Sequence, residues 1–406
     1  MYNRILSAAA ELNEEMLAFA QTLIQTPSLS GEEKPVAELC KSCMISLGYD
    51  DVFIDEIGNI VGLVKGTGKG CNLMYNSHMD HVDPGNEALW DYPAYGGVME
   101  GGFIHGRGAS DVKGGLAAQI FAGALLRRAG LRLRGDYIVT GVIQEEPAEM
   151  FGMKFLCDKT LPSHGIRFDL MVSSEATGLD LFLGHRGRVE IEVITQGRTS
   201  HGSAPWRGIN AVDKMIPVLE AVNRLAATLP THPFLGRSSL ALTNISCSPG
   251  RLSIIPDICT VALDRRLIPE ENCAAALSQI NAILAAQAIK DPDFKAQAHV
   301  RTVRETSWTG YSADCTKEMN AWFICQDHPM VVATVKALNA VGQQPGFGKW
   351  DFGTDASYVT GVLGIPTVGY SPMEEKYAHT PIDRVRTDYL EKALAGNAAI
   401  ALGIAG

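Results

Sequence analysis

Apolar positions recur at spacings of three and four over 3–25 and 33–47, which predicts two amphipathic helices. Ser30-Gly31-Glu32-Glu33 supplies a start signal for the second. The pattern then shortens into β runs, DVFIDEIGNIVGLVKG and CNLMYNSHMD. GTGKG between them lacks the first glycine of a phosphate loop and reads as a hairpin turn. A helix from about Val112 to Arg128, a buried strand DYIVTGVIQ and a further strand DLMVSSEA continue an α/β alternation.

After Gly184 the patterning changes. RGRVEIEVITQG alternates as a half-exposed strand, followed by a helix over 210–228, strands SLALTNISCSP and ICTVALDRRL, and a helix over 270–289. That order describes a small α+β unit. From Trp308 the α/β character returns, with a helix near 329–341, a strand at IPTVGYS and a closing helix over 388–403. The expected organisation is an α/β body made of 1–184 and 306–406, with an α+β domain, 185–305, inserted into it.

Composition narrows the partners. Hydrophobic residues make up 46 % of the 406 and charged residues 20 %, so the bulk of the chain can bury a core. With 35 basic against 45 acidic residues, the net charge of −10 is the wrong sign for a phosphate-backbone binder. The N-terminal segment carries acids within its helical pattern, unlike a signal peptide, and no run reaches the apolar length of a membrane span. Nine scattered cysteines point to a reducing cytoplasm, and Cys40 and Cys43 fit buried thiols on one helix face better than a zinc knuckle.

The candidate chemistry lies at the edges of the apolar strands. His78 and Asp80 in NSHMD share one strand face, and a ligating imidazole commonly donates its other N–H to a carboxylate. Asp111 follows a glycine-rich turn, GRGASD, just before a helix, where it could equally act as an N-cap. Glu145 and Glu146 follow a buried strand, a costly place for acids unless a cation or water receives them. On an extended segment they would point to opposite sides, one binding metal and the other handling protons. Glu175 ends another apolar strand, and His379 sits in YAHTPID, beyond the inserted domain. Asp111, Glu146 and Glu175 bring three negative charges and the two histidines none. Two divalent cations then leave +1, which one bridging hydroxide neutralises. Nitrogen and oxygen donors without thiolate suit zinc, and also cobalt or manganese.

These motifs, in this order, resemble the co-catalytic zinc amidohydrolases and metallopeptidases that include acetylornithine deacetylase, succinyl-diaminopimelate desuccinylase, aminoacylase and glutamate carboxypeptidase. The resemblance covers essentially the whole chain. It implies a mixed-sheet α/β/α metallopeptidase-type catalytic domain with an inserted ferredoxin-like lid and dimerisation domain. SHMDHVDPG offers His78 as a ligand and Asp80 as its orienting acid; GRGASDVKGG offers Asp111 as the bridge between two metals. QEEP makes Glu145 the general base and Glu146 a ligand, SSEATG gives Glu175 to one metal, and YAHTPID gives His379 to the other. In QGRTSHGSAP, His201 resembles the histidine that reaches the partner subunit's active site and stabilises the oxyanion. DRRL offers Arg265 or Arg266 as a substrate-carboxylate clamp, and Gly353-Thr354-Asp355 resembles the substrate-binding glycine turn.

The segments EIEVITQG, HGSAPWRGINA, DRRL and ETSWTG bring the chain nearest to the selenium-metabolism-linked hydrolase branch. Leu252-Ser253-Ile254-Ile255-Pro256 stands where the desuccinylases carry paired asparagines, and GTDAS is nearer the deacetylases. The expected activity is cleavage of the amide bond of a small N-acyl amino acid or related carboxylate, through a dizinc-bridging water in a cytoplasmic homodimer. A dipeptidase or carboxypeptidase on the same scaffold is the alternative. A catalytically silent small-molecule binder fits less well, since it has no need of Glu145.

Overall fold

The buried strand Leu73–His78 sits near the middle of a nine-stranded sheet. The computed structural model that shows it describes residues 1–148 and 150–406. From one edge the order is Asp51–Ile54, Ile60–Val64, Tyr137–Val142, Leu73–His78, Leu170–Ser173, Thr367–Gly369, Leu181–His185 and Trp322–Phe323, with Phe347–Trp350 also pairing Leu181–His185. The sheet is mixed. Leu73–His78 is parallel to both its neighbours, whereas Ile60–Val64 runs antiparallel to Tyr137–Val142.

That pairing corrects one expectation. GTGKG is not a hairpin turn, because Tyr137–Val142 lies between the two strands it joins. The segment instead crosses the end of the intervening strand, where Gly66 N–H donates to Asp136 Oδ1 and Lys69 N–H to the Arg134 carbonyl. The true hairpin is one element earlier, between Asp51–Ile54 and Ile60–Val64, where Asp55 Oδ1 accepts the N–H groups of Ile57, Gly58 and Asn59.

Helices Tyr2–Gln25, Gly114–Arg128, Pro329–Asn339 and Thr387–Ala405 pack against one another, and those at 114–128 and 387–405 also meet Leu73–His78. Strand periodicity decides what each face of that strand does. Tyr75 and Ser77 face these helices, Tyr75 donating to the Asn397 carbonyl and Ser77 to Gln119 Oε1. Asn76 and His78 point to the opposite side, where the candidate site lies.

The second unit has its own core. Residues from Val189 to Phe294 form an apolar cluster separate from that of the large sheet. Its sheet runs Ser239–Ser248, Ile258–Leu267, Gly187–Gln196, Lys295–Val300, all antiparallel, with helices Ala211–Ala227 and Cys273–Lys290 against it. The order strand, helix, strand, strand, helix, strand is ferredoxin-like. Lys295–Val300 is the strand that hydrophobic patterning passed over. Ser239–Ser248 is an edge strand, and all eight of its residues from Ala241 onward are exposed.

Candidate active site

Five side chains from five separate stretches meet beyond one end of the large sheet. Nε2 of His78, at the end of its strand, is 3.0 Å from Asp111 Oδ1 and 3.7 Å from Glu175 Oε1. Nε2 of His379 is 2.9 Å from Asp111 Oδ2 and 3.1 Å from Glu146 Oε1. Asp111 thus stands between two half-sites, each completed by one imidazole and one glutamate. Single ligand atoms of His78, Asp111 and Glu146 also lie within 4.8 Å of one another, close enough to surround a cation. All five sequence-predicted ligands come together here.

The electrostatics show what this cluster wants. Burial pushes Glu145, Glu146 and Glu175 above the ordinary carboxylate range, and repulsion from neighbouring acids, Asp111 on Glu146 among them, adds to it. Burial would lower His78, but Asp111 and Asp80 beside it raise it well above the normal histidine value. Hydrogen bonds to Asp111 and Glu146 push His379 up to about 10. Acids crowded together and imidazoles pulled towards protonation mark a cluster short of positive charge, and a cation would supply it. The donor set, imidazole nitrogen and carboxylate oxygen, fits a divalent metal of the zinc, cobalt or manganese kind.

The backbone that presents these groups is held by buried carboxylates. Asp80 lies just beyond the strand end, and its role is wider than orienting one ring. His78 Nδ1 hydrogen-bonds the Asp80 carbonyl at 3.0 Å and lies 3.4 Å from Asp80 Oδ1. The two carboxylate oxygens accept Glu145 N–H at 3.1 Å and Glu146 N–H at 3.2 Å, and Ser30 Oγ donates at 2.7 Å. Burial alone would raise this acid; His78, Ser30 and the Glu145 N–H hold it below its ordinary value. Glu145 and Glu146 follow the buried strand Tyr137–Val142 but begin the helical turn Glu145–Ala148, which corrects the expectation that they lie on an extended segment. Their separation comes from helical rotation, not from strand alternation.

Asp383 does the same for the Asp111 loop. Its carboxylate accepts the N–H of Gly108 at 2.8 Å, the N–H and hydroxyl of Ser110 at 2.9 and 2.6 Å, and Arg107 Nη1 at 3.2 Å. Strand Arg384–Arg386 pairs with Phe103–His105, so the segments that follow His379 and precede Asp111 are also joined by backbone pairing. Asp383 stands in the YAHTPID motif, yet nothing in sequence distinguishes it from a surface acid. Gln144 and His379 both adopt left-handed backbone, at φ 49° and 58°, a conformation side-chain-bearing residues hold only where their surroundings fix it.

A cavity of about 360 Å³ opens over the cluster, lined by Asp111, Glu145, Glu146, Glu175 and His379 on one side. The second unit contributes Arg188 and Arg266 to the same lining. These two are direct cross-strand partners, so both guanidinium groups emerge on one face. Asp264 spans them, 2.7 Å from Arg266 Nε and 3.3 Å from Arg188 Nε, which offsets the repulsion of like charges. Arg265 points elsewhere: it is buried, ion-paired with Glu271, and donates to the carbonyls of Ser239 and Arg266. Strand alternation separates it from its neighbour, which settles which arginine of DRRL faces the cavity.

Of the glycine turn, only Gly353 reaches the cavity wall, together with Phe352. Thr354 N–H donates to His185 Nε2 at 3.1 Å, and the buried Asp355 carboxylate accepts Asn76 Nδ2 at 3.0 Å behind the site. Burial pushes Asp355 up to about 6. His201 is exposed on the second unit and is not part of its own chain's cavity wall; its Nδ1 pairs with Ser203 Oγ at 2.6 Å. Arg188 was not singled out by sequence, because its place in the site follows from its register opposite Arg266.

Comparison with known proteins agrees with this picture. The model of peptidase family M20/M25/M40 matches residues 74–402. The uncharacterized protein YgeY of Escherichia coli strain K12 is 35 % identical, over 99 % of this chain and 97 % of that protein. A succinyl-diaminopimelate desuccinylase of Pseudoalteromonas translucida is 26 % identical over 81 % of this chain and 83 % of its own. The solved structure of a putative aminohydrolase from methicillin-resistant Staphylococcus aureus has the same fold, with TM-score 0.77, 15 % identity and full coverage of both chains. With the fold, the clustered ligands and the family match all in agreement, the chain belongs to peptidase family M20/M25/M40 and is a hydrolase of amide or peptide bonds.

Proposed function

We propose that the protein is a two-metal deacylase, cleaving the amide bond of a small N-acyl amino acid or a related carboxylate-bearing substrate. The observation that carries this reading is Asp111, with one imidazole against each of its carboxylate oxygens and Glu145 in the same cavity. His78 and Glu175 would hold one cation, His379 and Glu146 the other, with Asp111 shared. When bound, such cations polarise the scissile carbonyl and lower the pKa of water towards neutrality.

Glu145 would take the proton of the attacking water and pass it to the leaving amine. Burial pushes it well above the ordinary carboxylate range, His78 opposing and Glu175 adding to the effect, which strengthens its hold on a proton taken from water. Arg188 and Arg266 would grip the substrate carboxylate from the lid, fixing the amide over the metal ligands. Guanidinium is suited to this because its planar N–H groups match the spacing of carboxylate oxygens.

The protein acts, in this reading, as a cytoplasmic homodimer. An exposed edge strand with Leu242 and Ile245 outward supports pairing through Ser239–Ser248, and the described cysteines are all free thiols. His201, absent from its own cavity, would then complete the partner's site and donate to the developing oxyanion. The test is hydrolysis of a panel of N-acyl amino acids and dipeptides by protein reconstituted with zinc, cobalt or manganese. Cleavage of N-acyl amino acids supports the deacylase; cleavage of dipeptides alone replaces it with a dipeptidase, and no turnover with any metal overturns both.

A further inference from the structure

Glu33 opens the helix Lys34–Ser46, yet its side chain makes no capping bond to that helix. The carboxyl is fully buried and turns the other way. Oε1 accepts Gly31 N–H at 2.9 Å and Gln144 N–H at 3.1 Å. Three consecutive N–H groups, those of Gln144, Glu145 and Glu146, are therefore each received by a buried carboxylate oxygen: one from Glu33 and two from Asp80.

The first of the three carries the local strain. Gln144 has left-handed backbone at φ 49°, a conformation that a residue with a side chain holds only where its surroundings fix it. Two contacts hold it there: Glu33 on its N–H, and the Thr306 carbonyl, which accepts its Nε2 at 2.7 Å. The segment leading into Glu33 is tied down in turn, since Ser28 donates through Oγ to the Met79 carbonyl and through N–H to His81 Nε2. Glu33 is thus anchored to the strand end that carries His78, and from there fixes the direction in which the next residue, Glu145, enters the cavity.

Resting on the reading of Glu145 as the proton-transferring group, we propose that Glu33 is a positioning residue for it, acting through the Gln144 backbone without touching substrate. Geometry, not charge, is what the residue supplies. Among the described residues, Glu33 Oε2 and Gln144 Oε1 are both buried acceptors without a partner, so an amide at position 33 keeps the Oε1 contacts and adds a donor where a bare oxygen now stands.

The experiment measures kcat and KM at saturating metal for Glu33→Ala, Glu33→Asp, Glu33→Gln and, as reference, Glu145→Gln, on a substrate the wild type cleaves. A misplaced catalytic group costs about 100-fold, so Glu33→Ala is expected to lower kcat roughly 10- to 100-fold with little change in KM. Glu33→Gln should recover most of that kcat. Glu33→Asp keeps the charge but shortens the reach to Gln144 N–H, and should remain impaired. If Glu33→Ala does not fold, the order of the other two carries the test, and an aspartate variant more active than the glutamine variant overturns the proposal. A wild-type kcat in Glu33→Ala beside an inactive Glu145→Gln overturns the positioning role alone. Full turnover by Glu145→Gln removes the reading on which it rests.

Discussion

Nε2 of His379 stands 2.9 Å from Oδ2 of Asp111, although the two residues lie on either side of the whole inserted unit in sequence. The other Asp111 oxygen is already committed to His78 at 3.0 Å. One carboxylate therefore joins two imidazoles, and the site depends on the chain returning to the first sheet after the ferredoxin-like unit is complete. In His379→Ala, bound metal should fall from two per chain to one, the remaining cation resting on His78, Asp111 and Glu175. Elemental analysis after gel filtration checks this, and two retained cations would remove His379 from the ligand set.

Glu145→Gln separates proton transfer from metal binding. Its contact to the Asp80 carboxylate runs through its own backbone N–H, so the turn and the neighbouring Glu146 should survive the substitution. Turnover should fall by about 100-fold or more with metal content unchanged. Metal loss instead would exchange the roles of Glu145 and Glu146.

His201→Ala should lower turnover about 100- to 1,000-fold, the usual weight of an oxyanion donor, while binding the same metal. Mixing it with Glu145→Gln tests whether the histidine works across subunits. In a mixed dimer one site holds an intact Glu145 and receives an intact His201, so activity should reappear on subunit exchange. Two inactive variants that stay inactive when mixed would place His201 within its own subunit.

The two adjacent arginines should separate cleanly. Arg266→Ala removes a charge-assisted contact of about 1.5–3 kcal/mol, so KM for a carboxylate substrate should rise about 10- to 100-fold. Arg265→Ala leaves Glu271 without its buried ionic partner and should destabilise the protein by about 3 kcal/mol with KM unchanged. Equal KM effects from both would contradict the outward and inward placement of the pair.

His185 gives the protein an acid-sensitive joint. Its Nδ1 donates to the Arg186 carbonyl and its Nε2 accepts Thr354 N–H, so the ring must be neutral, and burial holds it down to about 4. With the folded value below the unfolded 6.5, the unfolded chain takes the proton first. The stability contributed by His185 is complete above about pH 6.5 and is lost as pH falls towards 4. The urea-unfolding gap between wild type and His185→Asn should narrow by about 2 kcal/mol from pH 7.5 to 5. A gap that widens on acidification would mean the ring is charged in the folded state.

Much of this was legible in the chain itself. Long apolar runs placed the central strands, because a strand buried on both faces has little choice of residue. His78, Glu145, Glu146 and Glu175 could be named as candidates because each sits where an apolar strand stops, a costly position for an acid without a cation; Asp111 and His379 were named from the motifs GRGASDVKGG and YAHTPID. What was hidden depends on pairing. GTGKG looked like a hairpin because only the register of Tyr137–Val142 against both its neighbours reveals a crossing. Lys295–Val300 half-buries one face with alanine and valine and carries too weak a pattern to stand out. Arg188 becomes visible only opposite Arg266, and Asp383 and Glu33 only through distant backbone N–H groups, which no side-chain motif records.

The most direct test of the two-metal account is a titration of chelator-stripped protein with zinc, following bound metal and hydrolysis of an N-acyl amino acid in the same samples. The account predicts two cations per chain, no turnover in the stripped protein, and activity that appears as the sites fill. Substantial turnover before any metal is added, or saturation with no cation bound at the Asp111 cluster, would contradict it.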